Sequence, residues 1–362
     1  MKVCLIANEF PPDVGGWQTY SYELASALSE IDDVWVVAPD YVEEWEDPRG
    51  LKIKRFERHN LRSFVRNATG AVREIARGGL DVVHALMVHP SGYVGSRIKV
   101  PLVLTAHGND FLFPDIVAKV MTKVTLKKAD SIVCVSRGTR NLLPAKHQSK
   151  ATVIPNGTRP ENFLTDKDGS KKALDLGRVI LFVGRLVKRK GVDDLLRAGV
   201  DVLDSFPDVK FAIVGDGPER KALEDLAKEL GMSNSVIFTG RVDDETLRRY
   251  YSAADVFVMP SKFIGGTDVE GFGIVFLEAN ASLTPVIGRR SGGVEDAIED
   301  GKSGFLIDDP SELAEKISYL LENQDVARQM AEYGRNRVLE SFNWERIATR
   351  VHQVYEDVVR SI

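Results

Sequence analysis

The sequence predicts an α/β protein made of two doubly wound, Rossmann-like domains that face a cleft. Three observations support this prediction: short β-branched apolar runs, amphipathic stretches between them, and one interruption near the middle of the chain. Strand-length runs that are apolar throughout are typical of strands buried on both faces, and parallel strands need a crossover that is usually a helix. In such folds, ligands bind where the strands end.

The first half of the chain contains predicted strands in the runs VCLIA, VWVVA, DVVHAL, LVLTAH and SIVCVS. Polar residues, Gly or Pro bound each run, as is typical of strand ends. Helical patterns such as TYSYELASALSE and DIVAKVMTKVTLKKA lie between the runs. We therefore expect residues 1–165 to form an N-terminal Rossmann-like domain.

The second half repeats this pattern with the runs VILFVG, KFAIVG, SVIFTG, VFVMPS and TPVIG. Residues 156–178 are polar and weakly periodic, which makes them the predicted domain boundary. We expect residues 166–340 to form a C-terminal Rossmann-like domain. Residues 341–362 contain an amphipathic helix that could pack on either domain, including back on the N-terminal one.

The composition describes an ordinary globular protein. The 362 residues suit two domains, and 43% of them are hydrophobic and 28% charged. No apolar run approaches the roughly 18 residues that a membrane span needs, and MKVCLIANEF is typical of a strand rather than a signal peptide. We expect a cytoplasmic protein. Cys4 and Cys134 lie in strand-like runs and should be core residues, not a disulfide framework or zinc site.

The charge is unevenly distributed. Residues 1–165 carry 21 basic and 18 acidic side chains, whereas the remainder carries 27 basic and 35 acidic ones, for a net charge of −5. Residues 52–77 hold eight Lys or Arg and two acids. This cluster is too weakly basic for a nucleic-acid-binding protein. It suits an anionic small molecule or a membrane surface.

The strongest candidate site is the segment EGFGIVFLE, from Glu270 to Glu278. It follows the run VFVMPS and opens a helix, so its two glycines let backbone approach a ligand and the free first-turn amides form an anion site. Glu278 could accept hydrogen bonds from a ribose diol, as acids do in dinucleotide folds. Glu270 could hold sugar hydroxyls. Taken singly, either acid could equally be an ordinary helix or loop residue.

A second candidate is the basic loop GRLVKRKG, which follows the first strand of the second domain. Arg185 can fork onto two phosphate oxygens and Lys190 can act as a point charge, so the two could neutralise a diphosphate without a metal. The alternative is a solvated basic loop. We expect Lys188 and Arg189 to be such solvated cations.

Two weaker candidates lie in the first half. Gly15 and Gly16 end a strand-to-helix turn, where backbone amides could meet a ligand. His107 ends the run LVLTA beside a glycine, a position that favours a cleft, although a structural histidine remains an open alternative.

Other patterns do not predict sites. The run GDGP at 215–218 lacks the third glycine of a dinucleotide fingerprint and is interpreted as a turn. Asp166 and Asp168 have the spacing of a metal-binding pair but lie in the predicted linker, where we expect them to be solvated. There is no P-loop lysine motif, nucleophile elbow or Cys/His cluster, so no cofactor or metal is expected.

Together these segments resemble the GT-B class of glycosyltransferases, and specifically glycosyltransferase family 4, a family of retaining enzymes. The resemblance covers nearly the whole chain. It rests on FPPDVGG, HGND, VSRGTRNLL, VIPNGT, VGRLVKRKG, VGDGPER, PSKFIGGTDVEGFGIVFLEA and SGGVEDAIEDGKSGFL. The chain departs from the family pattern at Asn280–Thr284, where Ala-Cys-Gly is usual, and at Thr158, where Asp is usual after PNG. These departures affect packing and linker geometry rather than the site.

The resemblance implies catalytic roles for His107, Glu270, Arg185 and Lys190. Arg185 and Lys190 would bind the diphosphate, Glu278 the ribose and Glu270 the donor sugar, with His107 near the reacting sugar. The other positions that it implies for substrate binding are Gly15, Gly16, Gly184, Val242, Gly271, Phe272, Gly273 and Ile274. Of these, Val242 would present backbone to the base.

The implied function is transfer of a hexose, with mannose or glucose favoured, from a nucleotide-diphosphate sugar such as GDP-mannose. The acceptor, a glycan, lipid or small molecule, would bind on the N-terminal domain. The alternative is a nucleotide-sugar-binding or phosphorylase-like protein without transferase activity. A peripheral contact with anionic membrane is a further hypothesis, against that of solvated helix faces. It rests on basic residues of two predicted helices: Arg62, Arg66, Arg73, Arg77, Lys119, Lys123, Lys127 and Lys128.

Overall fold

The computed structural model describes residues 1–13, 15–41, 45–111, 115–264 and 269–361. Val14 of the FPPDVGG motif, residues 265–268 of the PSKFIGGTDVEGFG motif and Ile362 of the predicted last helix are among those outside the described residues. The chain forms two compact units. The first comprises Met1–Asn156 with Trp344–Ile362, and the second comprises Gly157–Asn343.

The first unit contains a sheet of seven described strands. These are β1 Lys2–Ile6, β2 Asp33–Pro39, β3 Lys52–Phe56, β4 Val82–Ala85, β5 Leu102–Ala106, β6 Ser131–Cys134 and β7 Ala151–Val153. The helices between them are α1 Gly16–Ser29, α2 Leu61–Ala76, α3 Ser91–Gly95, α4 Ile116–Lys128 and α5 Arg137–Leu142. The strand order is β3-β2-β1-β4-β5-β6-β7, and all neighbours are parallel.

The second unit begins with α6 Lys167–Leu174 and contains a sheet of six described strands. These are β8 Val179–Val183, β9 Lys210–Val214, β10 Val236–Gly240, β11 Val256–Met259, β12 Val286–Arg289 and β13 Gly304–Ile307. The other helices are α7 Val192–Ser205, α8 Arg220–Glu229, α9 Asp244–Ala253, α10 Ile274–Ala281, α11 Val294–Ala297, α12 Leu313–Glu322 and α13 Gln324–Ser341. The strands are parallel, in the order β10-β9-β8-β11-β12-β13.

The last helix, α14 Trp344–Arg360, belongs to the first unit. The hydroxyl of Tyr355 lies 2.6 Å from Nδ1 of His84 on β4, and the ring of Trp344 meets that of Tyr20 edge-on at 5.7 Å. Buried aromatic and hydrogen-bonded contacts therefore fix α14 to the unit that contains the beginning of the chain.

The fold class predicted from the sequence is confirmed: both sheets are parallel and helices connect their strands. In each sheet the strand order reverses beside the first strand, between β1 and β4 and between β8 and β11. Ligands bind at the carboxyl ends of the strands around such a reversal. The buried positions of Cys4 and Cys134 are also confirmed, and burial raises the pKa of both thiols to about 12.

The region predicted as an irregular boundary contains a helix. Asp166 caps α6 by accepting a hydrogen bond from the Gly169 amide at 3.0 Å. Asp166 and Asp168 are both exposed, as expected, although they lie at the start of a helix rather than in an irregular linker. The units divide after Asn156, at the start of the predicted boundary 156–178 and before the predicted end of the first domain at 165. Within the second unit, the Thr158 amide donates to the Phe342 carbonyl at 2.7 Å. None of the helices in the described ranges has the length and apolar character of a membrane span.

Candidate functional site

The loops that follow β8, β10, β11 and β12 lie at one edge of the second sheet, because parallel strands end on the same side. These loops contain Gly184–Gly191, Val242, Glu270 and the beginning of α10. The local structure of each loop determines which side chains approach one another.

The loop after β8 is held by the GDGP turn that follows β9. Gly184 donates its amide to the Val214 carbonyl and Leu186 to that of Asp216, both at 3.0 Å. A Cβ on Gly215 would lie 2.1 Å from the Gly184 carbonyl oxygen, so only glycine permits this approach. The turn is therefore a packing partner of the basic loop.

A short 3-10 turn at Lys188–Lys190 directs two of its three cations inward. The ammonium of Lys190 lies 2.7 Å from Oε2 of Glu270, and the guanidinium of Arg189 lies 2.6 Å from the same oxygen. Lys188 is exposed, as expected. The expectation that Arg189 is a solvated cation was wrong, because Glu270 is a buried carboxylate that takes two cations.

Glu270 is 9% exposed and lies between these cations. The hydroxyl of Ser261 is a further neighbour, 3.3 Å from Oε2. Burial opposes ionisation, but the charges of Lys190 and Arg189 outweigh it and lower the pKa of Glu270 to about 2. At neutral pH the Glu270 carboxylate is therefore ionised between two cations.

The backbone of Glu270 is fixed by the glycine loop after β12. Gly293 donates its amide to the Glu270 carbonyl at 2.8 Å. Gly292 has a φ of 59°, and a Cβ there would lie 2.3 Å from the same carbonyl oxygen. A side chain at position 292 would therefore displace the carboxylate.

The helix α10 begins as the sequence predicted, immediately after the double-glycine segment. Gly273 has a φ of 88° and precedes the first helical residue, Ile274. The first amides of a helix have no intrahelical acceptor and carry the positive end of its dipole. The side chain of Phe272 is buried and packs beside Phe342, so only its backbone is available to a ligand.

Glu278 lies one turn inside α10 and is bound by a tyrosine. The hydroxyl of Tyr251, on α9, donates to its Oε2 at 2.6 Å. Burial raises the pKa of Glu278, although the Tyr251 hydrogen bond works in the opposite direction. The carboxylate is thus oriented, and its other oxygen remains an acceptor.

The remaining predicted residues of the second unit lie at the same edge of the sheet. Arg185 is exposed, and its side chain has no ion-pair or hydrogen-bond partner within the described part of the chain. Val242 lies between β10 and α9 and is partly buried. Gly271 joins Glu270 to the start of α10.

Gly15, Gly16 and His107 belong to the first unit. Gly15 precedes α1 and Gly16 is its first residue. The His107 ring is 7% exposed, meets Tyr20 edge-on at 4.7 Å and donates from Nε2 to the Leu86 carbonyl at 3.0 Å. Burial lowers the pKa of His107 despite the nearby Asp110, so the ring is neutral at neutral pH.

Sequence reasoning did not identify three residues that contact the predicted carboxylates: Arg189, Ser261 and Tyr251. Arg189 had a signal, since a buried acid beside a run of cations needs charge compensation. Tyr251 and Ser261 had none, because their contacts depend on how helices and loops pack.

Comparisons with known proteins agree with this architecture. The family model for Glycosyl transferases group 1 matches residues 166–337, and the model for Glycosyltransferase Family 4 matches residues 14–162. The GDP-mannose-dependent alpha-(1-6)-phosphatidylinositol monomannoside mannosyltransferase of Mycolicibacterium smegmatis is 31% identical to this chain. The alignment has 372 positions, gaps included, and covers 97% of each chain. The chain belongs to glycosyltransferase family 4.

Solved structures confirm the GT-B fold predicted for this family member. Sucrose-phosphate synthase from Thermosynechococcus elongatus superposes with a TM-score of 0.84 at 26% identity, over 100% of both chains. HepE from Anabaena, in complex with UDP, superposes with a TM-score of 0.81 at 20% identity, over 99% of this chain and 100% of its own. The predicted glycosyltransferase class is therefore confirmed, and these comparisons do not favour the non-transferase alternative.

Proposed function

We propose that this glycosyltransferase moves a hexose from a nucleotide-diphosphate sugar to its acceptor, with mannose from GDP-mannose favoured. The observation that carries the proposal is the grouping of Lys190, Arg189 and ionised Glu270 at the strand-end edge that also holds the start of α10. The full-length likeness to a GDP-mannose-dependent enzyme favours this donor over others.

In this proposal the two ends of the donor bind to different groups. Arg185, Lys190 and the first amides of α10 bind the diphosphate, because cations and helix N-termini both favour anions. Glu278 accepts from the ribose diol through the carboxylate oxygen opposite Tyr251. The backbone at Val242 contacts the base. Two of the remaining predicted contacts, Gly184 and Gly271, let backbone approach the ligand.

Glu270 then has two tasks. Its carboxylate accepts hydrogen bonds from hydroxyls of the donor sugar, and its charge holds the Lys190 ammonium in position at 2.7 Å. Because Arg189 pairs with the same oxygen, Glu270 remains ionised when Lys190 shares its charge with a phosphate. Arg189 is in this view a positioning residue.

We propose a retaining transfer without a metal. The departing phosphate takes the proton of the acceptor hydroxyl, while Lys190, Arg185 and the α10 amides stabilise the negative charge that develops on the diphosphate. The anomeric carbon–phosphate oxygen bond breaks as the bond to the acceptor oxygen forms on the same face of the sugar. Gly15 and Gly16 remain predicted donor contacts, since glycine lets backbone approach a ligand.

His107 contributes as a neutral ring in this proposal. Because Nε2 donates to the Leu86 carbonyl, the neutral ring carries its proton there and presents Nδ1 as an acceptor. Such an acceptor suits a sugar hydroxyl and does not suit a phosphate. We therefore assign His107 to the transferred sugar.

A lipid acceptor is favoured for the same reason as GDP-mannose, since the relative acts on a phosphatidylinositol monomannoside. A lipid acceptor would place the enzyme at a membrane, which we propose to be the cytoplasmic face. The N-terminal unit carries the basic helices that would make this contact.

The donor assignment predicts how the affinity for nucleotides changes when Glu278 is replaced. Calorimetric titration of the wild type with GDP, UDP and ADP, and with their sugar conjugates, should give tightest binding for GDP-mannose. Glu278→Gln should weaken GDP binding at least tenfold, since a charged hydrogen bond to the ribose contributes roughly 1.5–3 kcal/mol. Glu322→Gln, at an exposed helix end, should leave binding unchanged. Equal affinity of the Glu278 variant for GDP would contradict the ribose role.

A further inference from the structure

A groove of about 630 Å³ lies on the first unit between α2, α3 and α4. Its apolar side comes from α4, where Ile116, Val117, Val120 and Val124 are 75%, 48%, 57% and 38% exposed. They recur at helical spacing and form one stripe, which Leu61 of α2 extends. The volume falls in the range of small-molecule pockets, roughly 300–1,000 Å³.

Arginines line the opposite side of this groove. Arg62, Arg66 and Arg73 project from α2 and Arg97 follows α3, and all four are exposed. Within the described part of the chain, none of the four pairs with a carboxylate, and no Asp or Glu lines the groove. Arg97 lies over the Tyr93 ring at 5.7 Å, which holds its guanidinium at the rim.

This arrangement differs from that of an ordinary solvated helix. A contiguous apolar patch rimmed by polar groups marks an interaction surface, because it costs free energy in water. The other side of α4 provides a contrast within the same helix. Lys119 and Lys123 line a separate depression of about 270 Å³ with Lys146 and His147. The lysines and the apolar stripe therefore belong to two different surfaces.

We propose that the arginine-lined groove between α2, α3 and α4 is the surface by which the enzyme docks on anionic phospholipid membrane. The apolar stripe of α4 contacts an acyl chain, and the arginines bind the phosphate at its head. A guanidinium matches phosphate because it donates two parallel hydrogen bonds. Since none of its four arginines pairs with a carboxylate among the described residues, the groove complements an anionic lipid.

The proposal names a surface for the membrane contact proposed above, but it requires nothing of the donor site. All its residues belong to the first unit, whereas Lys190, Glu270 and Glu278 belong to the second. Membrane binding can therefore be measured without a donor, and donor binding without a membrane.

The test is co-sedimentation of the full chain with vesicles of phosphatidylcholine, alone or mixed with phosphatidylglycerol. Wild type should bind the mixed vesicles and not the neutral ones. Arg66→Ser with Arg73→Ser should weaken binding at least tenfold, since each cation near an anionic surface contributes measurably. Lys119→Ser with Lys123→Ser removes the same charge from the same unit and should weaken binding much less.

A second variant tests the apolar part. Val120→Ser should reduce the binding that persists in high salt, because salt screens the arginines and not the apolar contact. Equal losses in the arginine and lysine variants would overturn the assigned surface and leave only a diffuse charge effect. A dimer in sedimentation velocity that Val120→Ser dissociates would assign the groove to a second copy instead. GDP titration of every variant reports separately on the donor site.

Discussion

Two buried titratable groups, one in each unit, have opposite kinds of partner. In the second unit, Glu270 is charged and lies within 2.7 Å of two cations. In the first unit, His84 is fully buried between the hydroxyls of Tyr355 and Thr105, and burial lowers its pKa to about 3. Glu270 therefore remains charged at neutral pH, whereas the His84 ring remains neutral.

The difference follows from the available partners. A buried carboxylate remains ionised only where opposite charges compensate the loss of hydration, and a dense run of cations supplies them next to Glu270. Hydroxyl groups surround His84 instead, and they satisfy both ring nitrogens without a charge. A diphosphate-binding site, as proposed for the Glu270 cluster, requires fixed charges. A contact that anchors a helix, such as that of His84 with Tyr355, requires only neutral hydrogen bonds.

The largest expected effect is the loss of kcat in Lys190→Ala, which removes one cation of the charged cluster. Loss of a preorganised charge that stabilises the leaving group costs about 10²–10³ in kcat. Lys188→Ala removes an exposed cation from the same turn and should leave kcat near the wild-type value. Steady-state kinetics and thermal unfolding of both variants check this. If Lys190→Ala lowered only the melting temperature, Lys190 would be a partner of Glu270 and nothing more.

The next effect concerns the stability of the same cluster. Glu270→Gln leaves two cations without their carboxylate and should lower the free energy of unfolding at pH 7 by about 3 kcal/mol. The native pKa of Glu270 is about 2, below the ordinary value of 4.5. Its stabilisation is therefore complete above pH 4.5 and is lost as the pH falls toward 2.

Urea unfolding at a series of pH values measures this loss. The difference in unfolding free energy between wild type and Glu270→Gln should disappear as the pH falls from 4.5 toward 2, and it should be constant above pH 4.5. Glu224→Gln, which breaks a solvent-accessible ion pair with Arg220, should cost much less. A gap that persisted unchanged at pH 2 would mean that the carboxylate stabilises through packing rather than charge.

The sequence predicted the interior strands better than the edges. All ten predicted strands are present, because buried parallel strands are apolar throughout. The three additional strands, β3, β7 and β13, are all sheet edges. An edge strand has a neighbour on one side only, and β3, with the sequence KIKRF, carries three charged residues in five, two of them consecutive. Nothing in so short and polar a run distinguishes it from a loop.

The candidate site was predictable by residue type but not by contact. The glycine-flanked acids and the basic loop carry their chemistry in the sequence, so Lys190, Glu270 and Glu278 were candidates before any geometry. Which cation of KRK faces inward depends on the 3-10 turn at Lys188–Lys190, and no periodicity reports that. The Tyr251 contact with Glu278 joins two helices, so neither helix sequence alone predicts it.

The smallest expected effect tests the neutral network of the first unit. Tyr355→Phe removes the hydroxyl 2.6 Å from His84 and leaves a buried ring nitrogen without its partner, which should cost about 1–2 kcal/mol of unfolding free energy. Tyr333→Phe removes an exposed hydroxyl bonded to Glu299 at 2.7 Å and should cost much less. Urea unfolding of both variants gives the comparison. Equal costs would show that burial adds nothing to the Tyr355 hydrogen bond.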